Sequence, residues 1–179
     1  MSTRLKKILK NSEEYKAYKH IVKRIKALAD FDNLSQEMEQ MHKQRKSREL
    51  YLKNMTVDRI IKAGAQSSAY RSRIVEIMIN VQKAQRTLAS AIERMENNII
   101  SDYSKYMEVR SIADKKAVAR NILASGYYQL SDFDRIVDMC KTFVDDIDQN
   151  SWTLKHMLDG LQLLYTRENI VQTSKGSKL

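Results

Sequence analysis

A regular spacing of apolar residues, in a chain without proline, most constrains what this sequence can fold into. Between residues 74 and 95 the apolar positions alternate steps of three and four, the spacing of a coiled-coil seam. The chain has no proline and four glycines, so little in it would interrupt a long helix. We therefore predict one long helix over about 68–110, packed against another long helix of the same chain or of a neighbour. The seam residues are Ile74, Ile77, Val81, Ala84, Leu88, Ala91 and Met95.

Further helical patterns flank this seam, and alternating apolar and polar residues of the kind that form strands are missing from the sequence. The fold class is therefore predicted to be all-α, with long amphipathic helices that carry coiled-coil-like seams. Capping residues and glycines set the expected ends, with a turn at 30–33. The first of the other predicted helices begins near Ser12, and the last follows Ser151. Between them, helices are predicted over Asn33 to about Lys53, Thr56 to Gly64, 112–124 and Ser131 to Asp148.

The last predicted helix repeats the three-four spacing, which makes it a candidate for oligomerisation. We divide the chain by charge and pattern into a basic N-terminal helical region (1–66), a helical DNA-binding and oligomerisation core (67–171) and a disordered tail (172–179). The candidate oligomerisation residues are Leu154, Met157, Leu161 and Leu164.

Charge is distributed unevenly along the chain, whose net charge is +10. Residues 1–53 carry 14 Lys and Arg against 7 Asp and Glu, and residues 54–127 carry 12 against 7. Residues 128–169 reverse the balance, with 4 basic against 8 acidic side chains. A basic surface suits polyanions, whereas the acidic stretch suits a different partner.

Motifs for catalysis are missing from the sequence. The three histidines are far apart, the single cysteine excludes an intramolecular disulfide, and neither a P-loop nor a Gly-x-Gly-x₂-Gly motif occurs. We therefore predict a protein that is not an enzyme and needs no cofactor or metal. The cluster Asp145, Asp146 and Asp148 fits an acidic face for protein contact better than a cation site, since no glycine-containing ligand loop accompanies it. The sequence also lacks a secretory signal and a membrane span, so a cytoplasmic protein without membrane contact is expected.

Basic side chains off the apolar seam are the stronger functional lead, because such residues neutralise phosphates without reading sequence. The alternative is an ordinary solvated helix face. Tyr103, Tyr106, Tyr127 and Tyr128 could stack on unpaired bases, although core packing is favoured for the first two. The candidate nucleic-acid-binding residues are Lys83, Arg86, Arg94, Lys105, Arg110, Lys115, Lys116 and Arg120.

Two segments resemble a known family. The stretch CKTFVDDIDQNSWTLKHMLDG, with Cys140, Lys155 and His156, is similar in type and spacing to the C-terminal region of the UvsY family of phage recombination mediators. Residues 111–115 resemble a Ser-Ala-Asp-Lys stretch of that family, and the whole resemblance covers roughly 70–165. At 98–100 this chain has Asn-Ile-Ile where the family has Lys-x-Arg, so those DNA contacts are not carried over.

The resemblance implies a non-enzymatic homo-oligomer, a ring formed through C-terminal helices, that binds single-stranded DNA. It further implies that the ring helps a RecA-like recombinase replace the single-strand-binding protein, in the host cell cytoplasm if the protein is phage-encoded. One alternative is a phage-encoded helical interaction protein, an inhibitor or assembly chaperone without DNA activity. A regulator that binds duplex DNA is disfavoured, because no helix-turn-helix pattern is visible.

Overall fold

The computed structural model describes the backbone of residues 3–49, 56–107 and 109–176, and the side chains of 5–45, 56–107 and 109–168. Within these ranges the chain forms six α-helices and a single 3-10 turn, without a strand, which confirms the all-α prediction. None of the helices in these ranges is both long enough and apolar enough to cross a membrane. The α-helices are α1 (Thr3–Asn11), α2 (Glu13–Leu28), α3 (Phe31–Glu49), α4 (Val57–Ser101), α5 (Ile112–Ile122) and α6 (Ala124–Gly176).

Serine side chains cap two of these helices where the sequence indicated a start. The Ser12 hydroxyl accepts the backbone N–H of Tyr15 at 3.2 Å, and α2 begins at the next residue. The Ser111 hydroxyl accepts the N–H of Asp114 at 3.0 Å at the start of α5. Each cap satisfies an N–H group that has no partner within the helix, a contribution of about 1 kcal/mol.

The predicted start of α3 at Asn33 is wrong by two residues. The helix begins at Phe31, because the Asp30 carboxylate accepts the N–H of Asp32 at 3.1 Å and the side-chain amide of Asn33 at 3.2 Å. The predicted turn at 30–33 is correspondingly shorter. The predicted end near Lys53 lies outside the described residues.

The predicted helix end at Gly64 is also wrong. Thr56 precedes a helix as predicted, yet α4 continues for 45 residues to Ser101, where it ends earlier than the predicted Arg110. An interior glycine costs a helix only about 1 kcal/mol. Burial of the apolar side of α4 outweighs that cost, so the glycine does not terminate the helix.

The predicted breaks in the C-terminal region are wrong as well. The structure has one helix of 53 residues, α6, where the sequence suggested a start at Ser131 and a boundary at Ser151. Buried side chains on either side of Ser131, at Gln129 and Phe133, keep one side of this helix in the core across the first of these positions. Residues 172–176, assigned to the tail, are helical, and 177–179 lie outside the described residues.

Packing divides the chain into two compact units, each made of two stretches of sequence. Unit 1 comprises Met1–Gln36 with Ile77–Met139, and unit 2 comprises Glu37–Glu76 with Cys140–Leu179. The boundaries therefore fall inside α3, α4 and α6. The division at residues 66 and 171 was drawn on charge and pattern and stays a prediction.

The core of unit 1 brings α4 together with α2, α5 and the first part of α6, and α1 contacts α2. The Tyr18 hydroxyl of α2 donates to the backbone carbonyl of Leu123 at 3.4 Å, inside this core. The side chain of Gln85 on α4 donates to the Asp134 carboxylate of α6 at 2.6 Å. Most seam residues of α4 are thus covered by the chain's own helices. The buried apolar residues of unit 1 are Leu5, Leu9, Tyr18, Ile25, Ala29, Ile77, Val81, Leu88, Ile92, Met95, Ile99, Ala119, Leu123, Phe133, Ile136 and Val137.

Unit 2 has a smaller apolar core around Cys140. Its sulfur lies 3.4 Å from that of Met38, and burial raises the pKa of the thiol to about 11. The thiol is therefore protonated at neutral pH, and it packs as a small apolar side chain. The buried apolar residues of unit 2 are Met38, Ile60, Ile74, Cys140 and Ile147.

Candidate nucleic-acid interface

One side of α4 presents basic groups to solvent. Lys83 and Arg94 are three helical turns apart, so they point in the same direction to within about 20°. Leu88, fully buried, faces almost the opposite way, at about 140° from Lys83. Arg86 is also exposed. We call these three basic residues, Lys83, Arg86 and Arg94, the outer row of α4.

The outer row carries charge that the chain does not neutralise. Among the described residues, none forms an ion pair or hydrogen bond with the Lys83, Arg86 or Arg94 side chains. Lys83 and Arg86 are also the only charged residues of α4 between Ile77 and Ile92. Glu93 is exposed on the same side of α4 but forms no ion pair with the row within the described ranges. The row therefore keeps an excess of positive charge, which attracts polyanions.

The remaining predicted DNA-binding residues lie beyond the end of this row. Lys116 and Arg120, four residues apart, are exposed on one side of α5, and Arg120 Nε lies 3.9 Å from Glu96 Oε1 of α4. That contact places Arg120 beside the last turns of α4. Lys105 stands over the Tyr106 ring, with its Nζ 5.2 Å from the ring centroid, in the connection between α4 and α5. The same connection contains Arg110, which is exposed, and Lys115 is half-buried on α5.

The candidate stacking tyrosines differ in availability. The Tyr127 hydroxyl donates to Glu96 Oε2 at 2.6 Å, and burial together with Glu96 raises the Tyr127 pKa to about 12. This side chain is committed to the packing of unit 1. Tyr128 is 74% exposed and is the available aromatic side chain next to α5. Tyr103 and Tyr106 are half-buried.

Two of the clustered aspartates form ion pairs within unit 2, which sequence reasoning missed. The Asp146 carboxylate pairs with the Arg45 guanidinium and lies 3.6 Å from Nδ1 of His42. Asp148 accepts two hydrogen bonds from Arg71, at 2.7 and 3.1 Å. The guanidinium holds the Asp148 pKa below its usual value, so this pairing is lost only as the pH falls through that lowered pKa.

The aspartate cluster is therefore largely a structural feature. Asp145, next to both paired aspartates, is exposed. Over the described ranges no three His, Cys, Asp or Glu side chains are grouped so that they could hold a metal ion. No local pattern in the sequence distinguishes Asp145 from its paired neighbours.

The C-terminal part of α6 exposes several large apolar side chains. In the described stretch 151–168 no side chain is buried. Leu154, Met157 and Leu161 are half-buried, whereas Leu164 is 58% exposed. Trp152 is 67% exposed, and its ring meets the His156 ring edge-on at 4.0 Å between centroids. Of the predicted oligomerisation residues, Leu164 is thus exposed, whereas the chain itself covers much of Leu154, Met157 and Leu161.

Comparisons of the chain with models of protein families, with curated proteins and with solved structures find no match. The resemblance of residues 111–115 and 140–160 to the UvsY family therefore stays an expectation from sequence. The exposed and unpaired side chains described above are therefore the structural basis for proposing a function.

Proposed function

We propose that this protein is a recombination mediator. It binds single-stranded DNA without sequence preference, as a homo-oligomer. It then assists loading of a RecA-like recombinase onto DNA that is covered by single-strand-binding protein. In this proposal the outer row of α4 and the basic residues of α5 contact phosphates, and the apolar side of the C-terminal part of α6 joins the subunits.

The observation that carries this proposal is that the outer row of α4 is exposed and has no carboxylate partner in the described part of the chain, whereas three arginines of unit 2 are paired. In unit 2, Arg45, Arg71 and Arg73 all pair with carboxylates. In unit 1, the outer row of α4 is exposed and has no such partner among the described residues. Phosphate binding depends on cations that are free to replace condensed counterions. Unit 1 supplies them along one helix side.

The geometry of the row favours backbone contact over base reading. Lys83 and Arg94 are separated by about 16 Å along the helix axis at 1.5 Å per residue, a distance that takes in several nucleotides. Contacts between cationic side chains and phosphates position a strand but carry no sequence information. Tyr128, exposed near α5, can add stacking on an unpaired base, which every base permits.

A salt series with single- and double-stranded oligonucleotides tests this function. We expect tighter binding to the single strand, with an affinity that falls steeply with salt. Replacing Lys83, Arg86 and Arg94 by Gln should weaken binding to all sequences alike. It should also lower the slope of log affinity against log salt by about 2, or about 0.7 per lost contact.

A matched variant removes the same charge from unit 2. Lys62, Lys155 and Arg167 are exposed, so their joint replacement by Gln should leave the slope nearly unchanged. If both triple variants lower the slope equally, the effect is net charge alone. The outer row would then not be the binding surface.

Other exposed apolar side chains of α6 favour a second candidate, an interaction protein without DNA activity. Trp152, Leu163 and Tyr165 are large and exposed, and such residues mark protein contact surfaces. This function predicts no measurable binding to either oligonucleotide at low salt. The salt series therefore separates the two candidates.

Oligomerisation is tested by placing charges on the apolar side of the C-terminal part of α6. Replacing Leu161 and Leu164 by Asp should reduce the mass in light scattering to monomers or dimers while helicity persists, because charged side chains cannot be buried unpaired in an apolar interface. Gln162→Asp with Thr166→Asp, on another side of the same helix, should preserve the oligomer. A monomeric wild-type protein at about tens of micromolar, where an interface of standard size is typically occupied, would refute assembly through α6.

A further inference from the structure

We infer that α2 carries a second phosphate-binding row, formed by Lys16, Lys19, Lys23 and Lys26 and here called the α2 lysine row. This inference rests on the proposed function for the identity of the polyanion, a single-stranded DNA backbone. The four lysines stand at i, i+3, i+7 and i+10, and all are exposed. At 100° per residue they fall within a sector about 80° wide and cover about 15 Å of the helix.

The charges of the row are largely available. Lys16 Nζ lies 2.7 Å from Glu13 Oε1, an exposed pair of the kind that contributes little and is readily exchanged. Lys19 Nζ lies 3.4 Å from the Ser125 hydroxyl and 5.7 Å from the centroid of the Tyr15 ring, neither of which is charged. Lys23 and Lys26 have no ion-pair partner among the described residues.

The opposite side of α2 fixes the row in place. Tyr18 and Ile25 are 2% and 4% exposed, in the core of unit 1. An amphipathic helix that binds membranes must insert its apolar side into the lipid, and here that side is already buried in the protein. The row can therefore act only through its charges, which disfavours a lipid surface as its partner.

The chemistry of the row favours phosphates over an acidic protein face. Protein interfaces are depleted in lysine and depend on buried aromatic or apolar anchors. The aromatic residue beside the lysines, Tyr15, is half-buried and packs on Tyr18, so the row has no exposed Phe, Tyr or Trp as an anchor. Its other neighbours on this side of α2 include His20 and Ala27. Lysine binds phosphate as a point charge without strict geometry. A row of four such charges matches a flexible, uniformly charged strand.

Replacement of all four lysines by Gln tests the row in the full-length protein. The probe is a fluorescent oligo-dT, titrated over a salt series. We expect the slope of log affinity against log salt to fall by about 2 to 3, at about 0.7 per contact. We also expect at least a tenfold loss of affinity at low salt. Replacing the same lysines by Arg should retain binding, because Arg keeps the charge.

The controls separate this inference from the proposed function. If the wild type binds oligo-dT and the Gln variant binds equally well, the row is refuted while the mediator function stands. If the wild type does not bind at all, both fail. Anionic phosphatidylglycerol vesicles are the second probe, and vesicle binding that is lost in the Gln variant while oligo-dT binding is retained would overturn the inference in favour of a membrane.

Discussion

Replacing Gly126 by alanine is expected to destabilise the protein by about 2 kcal/mol, the middle of the range for overpacking a core. An added Cβ would overlap the hydroxyl oxygen of Tyr18 and lie 3.0 Å from Cδ1 of Ile92. Tyr18 is buried and hydrogen-bonded to the Leu123 carbonyl, so it cannot move aside without losing that contact. Thermal and urea unfolding followed by circular dichroism would measure the loss.

The matched substitution at Gly64 is expected to have the opposite sign. No atom lies within 4 Å of a Cβ added there, and the residue is inside α4. Alanine should therefore stabilise the protein by up to about 1 kcal/mol, through its higher helix propensity and the lower conformational entropy of the unfolded chain.

Combining Gly126→Ala with Tyr18→Phe removes the overlapping oxygen. The double variant should lose less stability than the two single losses added together, and strict additivity would contradict the proposed overlap.

Replacing Asp146 by alanine is expected to cost about 2 to 3 kcal/mol. The substitution removes the carboxylate that pairs with the Arg45 guanidinium, whose side chain is 7% exposed. Breaking a buried pair from one side costs about 3 to 5 kcal/mol, and the value here is lower because the Asp146 side chain is itself 36% exposed. The midpoint of urea unfolding reports the change.

Asp145→Ala is the control for that loss, since it makes the same change at the neighbouring position of the same helix. Asp145 is exposed, so its replacement should shift stability by no more than about 0.5 kcal/mol. Equal losses at the two positions would show that the Arg45 pair contributes nothing. A role of this acidic stretch in partner binding is therefore best tested at Asp145, because its replacement removes a charge with little effect on stability.

Part of the fold could be predicted because it depends on neighbours in sequence. The Ser12 and Ser111 caps act within three residues, and both helices begin where these serines indicate. The α4 seam at Ile74, Val81 and Leu88 could be recognised because a helix places every third or fourth residue on one side. Charged residues are identified directly in the sequence, so the basic candidate residues could be named without a structure. Their exposure on α4 and α5 agrees with positions off the seam.

Contacts between distant residues could not be predicted in this way. Arg71 and Asp148, which are 77 residues apart, form an ion pair that only packing brings together. The same packing decides that Asp146 is committed to Arg45 while its neighbour Asp145 remains exposed. Availability of a charge for a partner is therefore a property of the tertiary structure.

The sequence by itself determined the helical class, the buried side of α4 and the excess of basic charge. The tertiary structure alone decided that α6 is continuous, that Gly126 serves close packing against Tyr18, and which charged groups stay unpaired. The physical reason is one of magnitude. A cap or an interior glycine contributes about 1 kcal/mol, whereas burying a row of apolar side chains contributes about 1.5 to 3 kcal/mol for each. Where the two conflict, burial prevails.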